Sequence, residues 1–115
     1  MDGDLRAFTR AYDFILWAVP AINKFPRDYR FTLGDRMCAL LYDTLHNLVE
    51  ARYNAGRRAP VLSGVNRDLE RLRIFFRLAK DLGVIDTRKY QLSAEGLDEV
   101  GRLVGGWSRA SGADK

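Results

Sequence analysis

Apolar residues recur at helical spacing in four blocks of the chain, and no block alternates with the period of two expected of a half-buried strand. The first block carries Phe8, Tyr12, Ile15, Val19 and Ile22, with Pro20 inside it marking a kink or an early end. Lys24 to Arg30 reads as a connection broken at Pro26. A second helix follows, with Thr32 as its N-cap, Asp35 in the place of a capping-box acid, and an apolar face of Leu33, Met37, Leu40, Leu41, Leu45, Leu48 and Val49. Asn54 to Ala59 forms the second connection, and Pro60 suits the first turn of a third helix. There Leu62, Val65, Leu69, Leu72, Phe76 and Ala79 step strictly by three and four, the seam of a packed bundle. Gly83 supplies a stop, and Asp86 caps a fourth helix whose seam is Tyr90, Ser93, Leu97, Val100, Val104 and Trp107.

Four helices joined by short connections imply antiparallel neighbours, so the expected fold is an all-α, up-down-up-down four-helix bundle. Its expected extent is a single domain over residues 5–109, with flexible tails at 1–4 and 110–115. A length of 115 residues accommodates one core and not two, and 47% apolar with 30% charged residues is the balance of an ordered globular chain. No apolar run reaches the roughly 18 residues that span a bilayer, and the first residues lack the pattern of a secretion signal. Cys38 has no second cysteine to pair with, which fits a reducing compartment, and the expected location is the cytoplasm.

Catalytic chemistry finds little to build on. Cys38 and His46 are the only cysteine and histidine, and eight residues on one helix separate them by about 12 Å, too far for a nucleophile and its base. No His/Cys cluster has metal-ligand spacing, and the Gly105-Gly106 pair is not followed by the residues of a phosphate loop. Asp43, Glu50, Asp98 and Glu99 read as solvated helix faces. The expectation is a protein without catalytic residues, metal or cofactor.

Charge is more informative. Lys and Arg number 19 against 15 Asp and Glu, a net charge of +4 that favours polyanionic partners. All but four of the cations are Arg, whose planar fork suits phosphates and salt bridges equally. On the third helix Arg73, Arg77 and Lys80 fall within roughly 60° of one another and form a cationic stripe, with Arg67 and Arg71 on a second azimuth. Such a stripe tracks phosphates, or is a solvated face paired with Asp68, Glu70 and Asp81. In the first connection Lys24, Arg27 and Arg30 interleave with Phe25, Tyr29 and Phe31, a pattern that stacks on bases and holds phosphates; otherwise Phe25 and Phe31 plug the end of the bundle. Ile74 and Leu78 continue the second azimuth away from the core seam, and Gly101 and Gly105 lie one turn apart beside the fourth seam. Together they suggest contact with another protomer or a close approach within the bundle.

Several stretches taken in order resemble a known family. They are Tyr12-Asp13-Phe14-Ile15-Leu16-Trp17 with Pro20, Lys24-Phe25-Pro26, and Tyr29-Arg30-Phe31-Thr32-Leu33-Gly34. Leu69-Glu70-Arg71-Leu72-Arg73, Arg77-Leu78-Ala79-Lys80-Asp81-Leu82 and Gly101-Arg102-Leu103-Val104-Gly105-Gly106-Trp107 complete the set. The chain is similar to the four-helix-bundle family that includes the accessory variability determinant of diversity-generating retroelements, whose relatives include proteins encoded by intervening sequences of ribosomal RNA genes. The resemblance implies a ring of five subunits with a positive surface that binds RNA and DNA. It implies association with a reverse transcriptase and its template RNA in mutagenic complementary DNA synthesis, without catalysis by this chain. The alternative is a plain helical protein–protein interaction module, its basic stripe merely solvated, or a four-helix protein of the ribosomal-intervening-sequence type.

Overall fold

The computed structural model describes the chain from Asp2 to Ser111, with side chains from Gly3 onward. Four long helices carry the architecture: α1 (Asp2–Asn23), α2 (Asp35–Tyr53), α3 (Arg58–Asp81) and α4 (Thr87–Ala110). A single α-turn at Arg27–Tyr29 and a π-helical segment at Arg30–Gly34 lead into α2, and a 3-10 turn at Ala55–Arg57 leads into α3. Each helix packs on its neighbours in the chain, and α1 closes the square against α4. With connections this short the chain must reverse at each one, giving the up-down-up-down bundle, 42 Å long and 23 by 22 Å across.

The core follows the seams closely in the second half of the chain. Leu62, Val65, Leu69, Leu72, Phe76 and Ala79 of α3 are all buried. On α4, Ser93, Leu97, Val100, Val104 and Trp107 are buried together with Leu103. The hydroxyl of Ser93 donates to the Tyr90 carbonyl at 2.6 Å, so its burial leaves no unpaired polar group. Gly83, at φ +75°, closes α3: its amide donates to Lys80 O and that of Val84 to Ala79 O, which satisfies two terminal carbonyls. Asp86 caps α4 as expected, accepting from the Lys89 amide at 2.8 Å.

The first two helices are turned from their expected faces. α1 buries Ala7, Ala11, Phe14, Ile15, Ala18 and Ile22, while Tyr12 is 46% exposed and Phe8 and Val19 are half-buried at the edge. Small residues win the inward positions because they let α1 approach its neighbours, and the ring of Phe14 lies directly over Gly96 of α4. A Cβ on Gly96 would stand 2.3 Å from Phe14 Cδ1. Phe14, Trp17 and Phe76 pack as an aromatic cluster with centroids 5.8–6.4 Å apart. On α2 the buried stripe is Met37, Leu41, Thr44, Leu48 and Ala51, which leaves Leu40 and Leu45 half-buried and Val49 exposed.

Three local expectations are corrected. Thr32 does not cap α2: the backbone enters the helix directly from the π segment, and the Thr32 hydroxyl donates back to the Asp28 and Tyr29 carbonyls. Pro20 does not end α1, which runs on to Asn23; it sits exposed near the last turn, where the bond it forfeits is at the solvent side. Residues 2–4 are not a tail, since they belong to α1 and Asp4 is buried, with Oδ2 lying 3.6 Å from Arg52 Nε. Of the expected C-terminal tail, Ala110 ends α4, and residues 112–115, like Met1, lie outside the described residues.

Gly96→Ala is expected to lower stability by about 1–3 kcal/mol, because the added methyl forces the buried Phe14 ring aside. Gly106→Ala meets nothing nearer than Arg109 Nη2 at 4.0 Å and is expected to raise stability by roughly 0.5–1 kcal/mol. Urea denaturation of the two variants checks both signs.

Candidate nucleic-acid interface

Of the cations of α3, Arg71, Arg73, Arg77 and Lys80 are engaged by carboxylates. Arg73 is the most committed: its guanidinium pairs with Asp98 of α4, lies 3.5 Å from Glu70 and donates to the Leu97 carbonyl at 3.3 Å. Its side chain is 33% exposed, against 73% for Arg77. Gly101 leaves room for this bridge, since a Cβ there would stand 3.1 Å from Arg73 Nη2. Arg77 lies 3.8 Å from Asp81, and Lys80 shares that carboxylate at 3.8 Å with its ammonium over the Tyr90 ring. Arg71 pairs with Asp68 at 2.7 Å, and Arg67 donates to the Ser63 hydroxyl. Arg73 thus joins α3 to α4, whereas the exposed pairs of Arg77 and Lys80 are of the kind that salt and solvent weaken.

The first connection differs in both charge and shape. Among the described residues, Lys24, Arg27 and Arg30 have no carboxylate within 4.0 Å, and neither has Arg36 at the start of α2, which the sequence pattern did not single out. The aromatics divide their roles. Phe25 is buried and plugs the end of the bundle, whereas Phe31 is 61% exposed with the Arg30 guanidinium 4.9 Å from its ring centre. Arg36 also lines a groove of about 460 Å³ between α2 and α3, with Leu40, Asp43, Arg71 and Phe75. At the opposite end a cleft of about 420 Å³ includes Asp4, Arg52, Arg58 and Trp107 in its wall. There Arg58 donates to the Ala51 and Arg52 carbonyls and so closes the C-terminus of α2.

Two apolar surfaces are exposed as well. Ile74 and Leu78 are exposed, as their azimuth implied, and Leu82 extends the stripe by another turn. A broader surface runs along the α1/α2 edge, where Leu5, Phe8, Tyr12, Leu16 and Val19 fall within roughly 80° on α1. The Asp4–Arg52 pair sets the antiparallel register, which brings Phe8 level with Val49, Tyr12 with Leu45 and Leu16 with Tyr42. Leu5, Tyr12, Leu16, Tyr42, Val49 and Tyr53 are exposed on this side. Their helical spacing is visible in the sequence, but spacing alone reads the larger residues of α1 as core. Gly105, like Gly101, accommodates an arginine of its own chain, with Arg109 Nη1 3.3 Å from the position of a Cβ.

Cys38 is half-buried on α2 and His46 is exposed. Burial, and then the charge of Asp35, push the Cys38 thiol pKa up, away from the thiolate that a nucleophile or metal ligand needs. Among the described residues no three His, Cys, Asp or Glu side chains are grouped to hold a metal ion. Nor is any described helix long and apolar enough to cross a membrane.

The helix order, closed packing and surface define a small all-α protein of the four-helix-bundle class. Residues 7–111 match the family model described as bAvd-like, and the chain belongs to that family. No curated protein matches the chain.

Arg73→Ala is expected to lower stability by about 1 kcal/mol, allowing for solvent screening of its pairs, because it unlinks α3 from Asp98 and the Leu97 carbonyl. Arg77→Ala is expected to change it by less than about 0.5 kcal/mol. Thermal and urea unfolding of the two single variants distinguish the bridge from the surface pair.

Proposed function

We propose that this protein is a non-catalytic, nucleic-acid-binding accessory subunit that works in the cytoplasm with a reverse transcriptase and its template RNA. In that role it supports mutagenic complementary DNA synthesis in a diversity-generating retroelement. Membership of the bAvd-like family is the observation that carries this reading. The net charge of +4 and the carboxylate-free cations Lys24, Arg27, Arg30 and Arg36 at one end of the bundle support phosphate contact. Arg67, Arg71, Arg73, Arg77 and Lys80 form the second tier of contacts, because a phosphate arriving at most of them must compete with a carboxylate already in place. DNA offers the same phosphates and is bound by the same groups.

Self-association as a ring, five-membered by family resemblance, belongs to the same reading. A closed ring joins two unlike patches of each subunit, and this chain has two: the uncharged α1/α2 edge and the Ile74, Leu78 and Leu82 stripe. Gly101 and Gly105 belong to this interface reading as well, with Arg73 and Arg109 of the same chain packed over them. The α1/α2 edge also favours the second reading, a protein–protein interaction module, since Tyr, Leu and Val side chains without charge suit a protein partner.

Replacing Lys24, Arg27, Arg30 and Arg36 together by Gln is expected to weaken binding to a structured RNA. The slope of log affinity against log salt should fall by roughly one unit for each phosphate that the variant no longer holds. The Arg77→Gln, Lys80→Gln pair is expected to do so to a lesser degree. Fluorescence anisotropy over a salt series measures both, and wild-type protein that binds no RNA at low salt leaves the interaction module as the better account. For assembly, Leu16→Asp with Tyr42→Asp, or Ile74→Asp alone, is expected to yield monomers in sedimentation velocity. Wild-type protein that already sediments as a monomer rejects the ring.

A further inference from the structure

Phe31 is held out into solvent by a built segment of backbone. It lies in the π-helical stretch Arg30–Gly34, a rare geometry that occurs mostly as single-turn bulges and frequently at functional sites. Gly34 seats that stretch tightly on α1, since a Cβ there would stand 3.2 Å from Ile22 Cγ2. Leu33 is buried beneath it, and the Thr32 hydroxyl bonds back to the preceding turn. The ring is therefore carried on packed structure, 61% exposed, with a guanidinium near it. The same end of the bundle carries Lys24, Arg27 and Arg36, none with a carboxylate within 4.0 Å among the described residues. An exposed aromatic ring with one guanidinium beside it and further unpaired cations at the same end of the bundle is an arrangement suited to a base and its phosphates.

We propose that Phe31 is a stacking platform for one unpaired base of a single-stranded RNA, with Arg30 and the neighbouring cations holding the flanking phosphates. This rests on the nucleic-acid reading above and narrows it to unpaired nucleotides at the α1–α2 end. A duplex offers its phosphates to the same cations, but its bases are stacked on one another and leave Phe31 without a partner.

The test is a fluorescence-anisotropy comparison of an unstructured oligouridine with a blunt RNA duplex, using wild-type protein, Phe31→Ala and Phe31→Trp. Phe31→Ala should weaken oligouridine binding by about fivefold or more and leave duplex affinity and the salt slope of both probes unchanged. Phe31→Trp should restore oligouridine affinity, because the larger indole stacks at least as well. Circular dichroism checks that the variants fold as the wild type does, which the exposure of residue 31 leads one to expect. Wild-type protein binding neither probe overturns the nucleic-acid reading and this inference together. Wild-type binding that Phe31→Ala leaves intact on both probes, or weakens equally on both, overturns this inference alone. Unchanged RNA binding accompanied by impaired association with a protein partner would assign the ring to a protein interface instead.

Discussion

The distance between α1 and α4 is set by the Phe14 ring lying on Gly96, and the arrangement of the remaining surfaces follows from it. A side chain at position 96 would hold the helices apart, so the aromatic cluster of Phe14, Trp17 and Phe76 depends on its absence. Ala7, Ala11 and Ala18 extend the close approach along α1. Turning those alanines inward turns Leu5, Tyr12 and Leu16 outward, toward the edge shared with α2. The uncharged α1/α2 surface is thus a geometric consequence of how the core is packed on the other side of the same helix. An apolar surface produced this way is also costly to leave wet, which ties the packing of a single chain to the argument for association.

The arginines and lysines divide between those engaged with the fold and those left without a carboxylate. Arg73 and Arg58 commit their donors to the fold itself, one bridging α3 to α4 and the other closing the end of α2. Arg77, Lys80 and Arg71 stand beside acids of their own helix, where the field they project is partly cancelled. Lys24, Arg27, Arg30 and Arg36 keep their field at one end of the bundle. Local imbalance of this kind, more than net charge, is what steers a polyanion.

The helix count, the order, the complete α3 seam and the Gly83 and Asp86 boundaries were legible because each rests on spacing and cap chemistry carried within a few residues. The inward face of α1 was not. Spacing identifies a stripe, but choosing between a stripe of large residues and one of alanines requires knowing that a glycine waits on α4, and Gly96 lies about eighty residues away in the chain. The π segment was hidden for a related reason: Thr32 and Asp35 have the spacing of a capping box, and nothing local forbids it. The cations of the candidate site were all visible as residues. Which of them face a carboxylate was only partly so: the pair Arg77–Asp81 has i,i+4 spacing, whereas Arg73 with Asp98 joins two helices. Arg36 carries no signal of its own because it belongs to no periodic stripe.

The π-helical stretch amounts to a single extra residue in an otherwise continuous helical path. Loss of one residue there would let the backbone run as ordinary α-helix from the turn at Arg27 into α2, and would rotate everything before the deletion by roughly 100° about the axis. Arg27, Arg30 and Phe31 would then point in another direction relative to Arg36, while the core below Met37 kept its register. A change of length by one residue, with no change in composition, is therefore a route by which such a bundle alters what it presents at this end. That makes the short span between Pro26 and Asp35 a natural hinge for divergence in binding preference among proteins sharing an unchanged core.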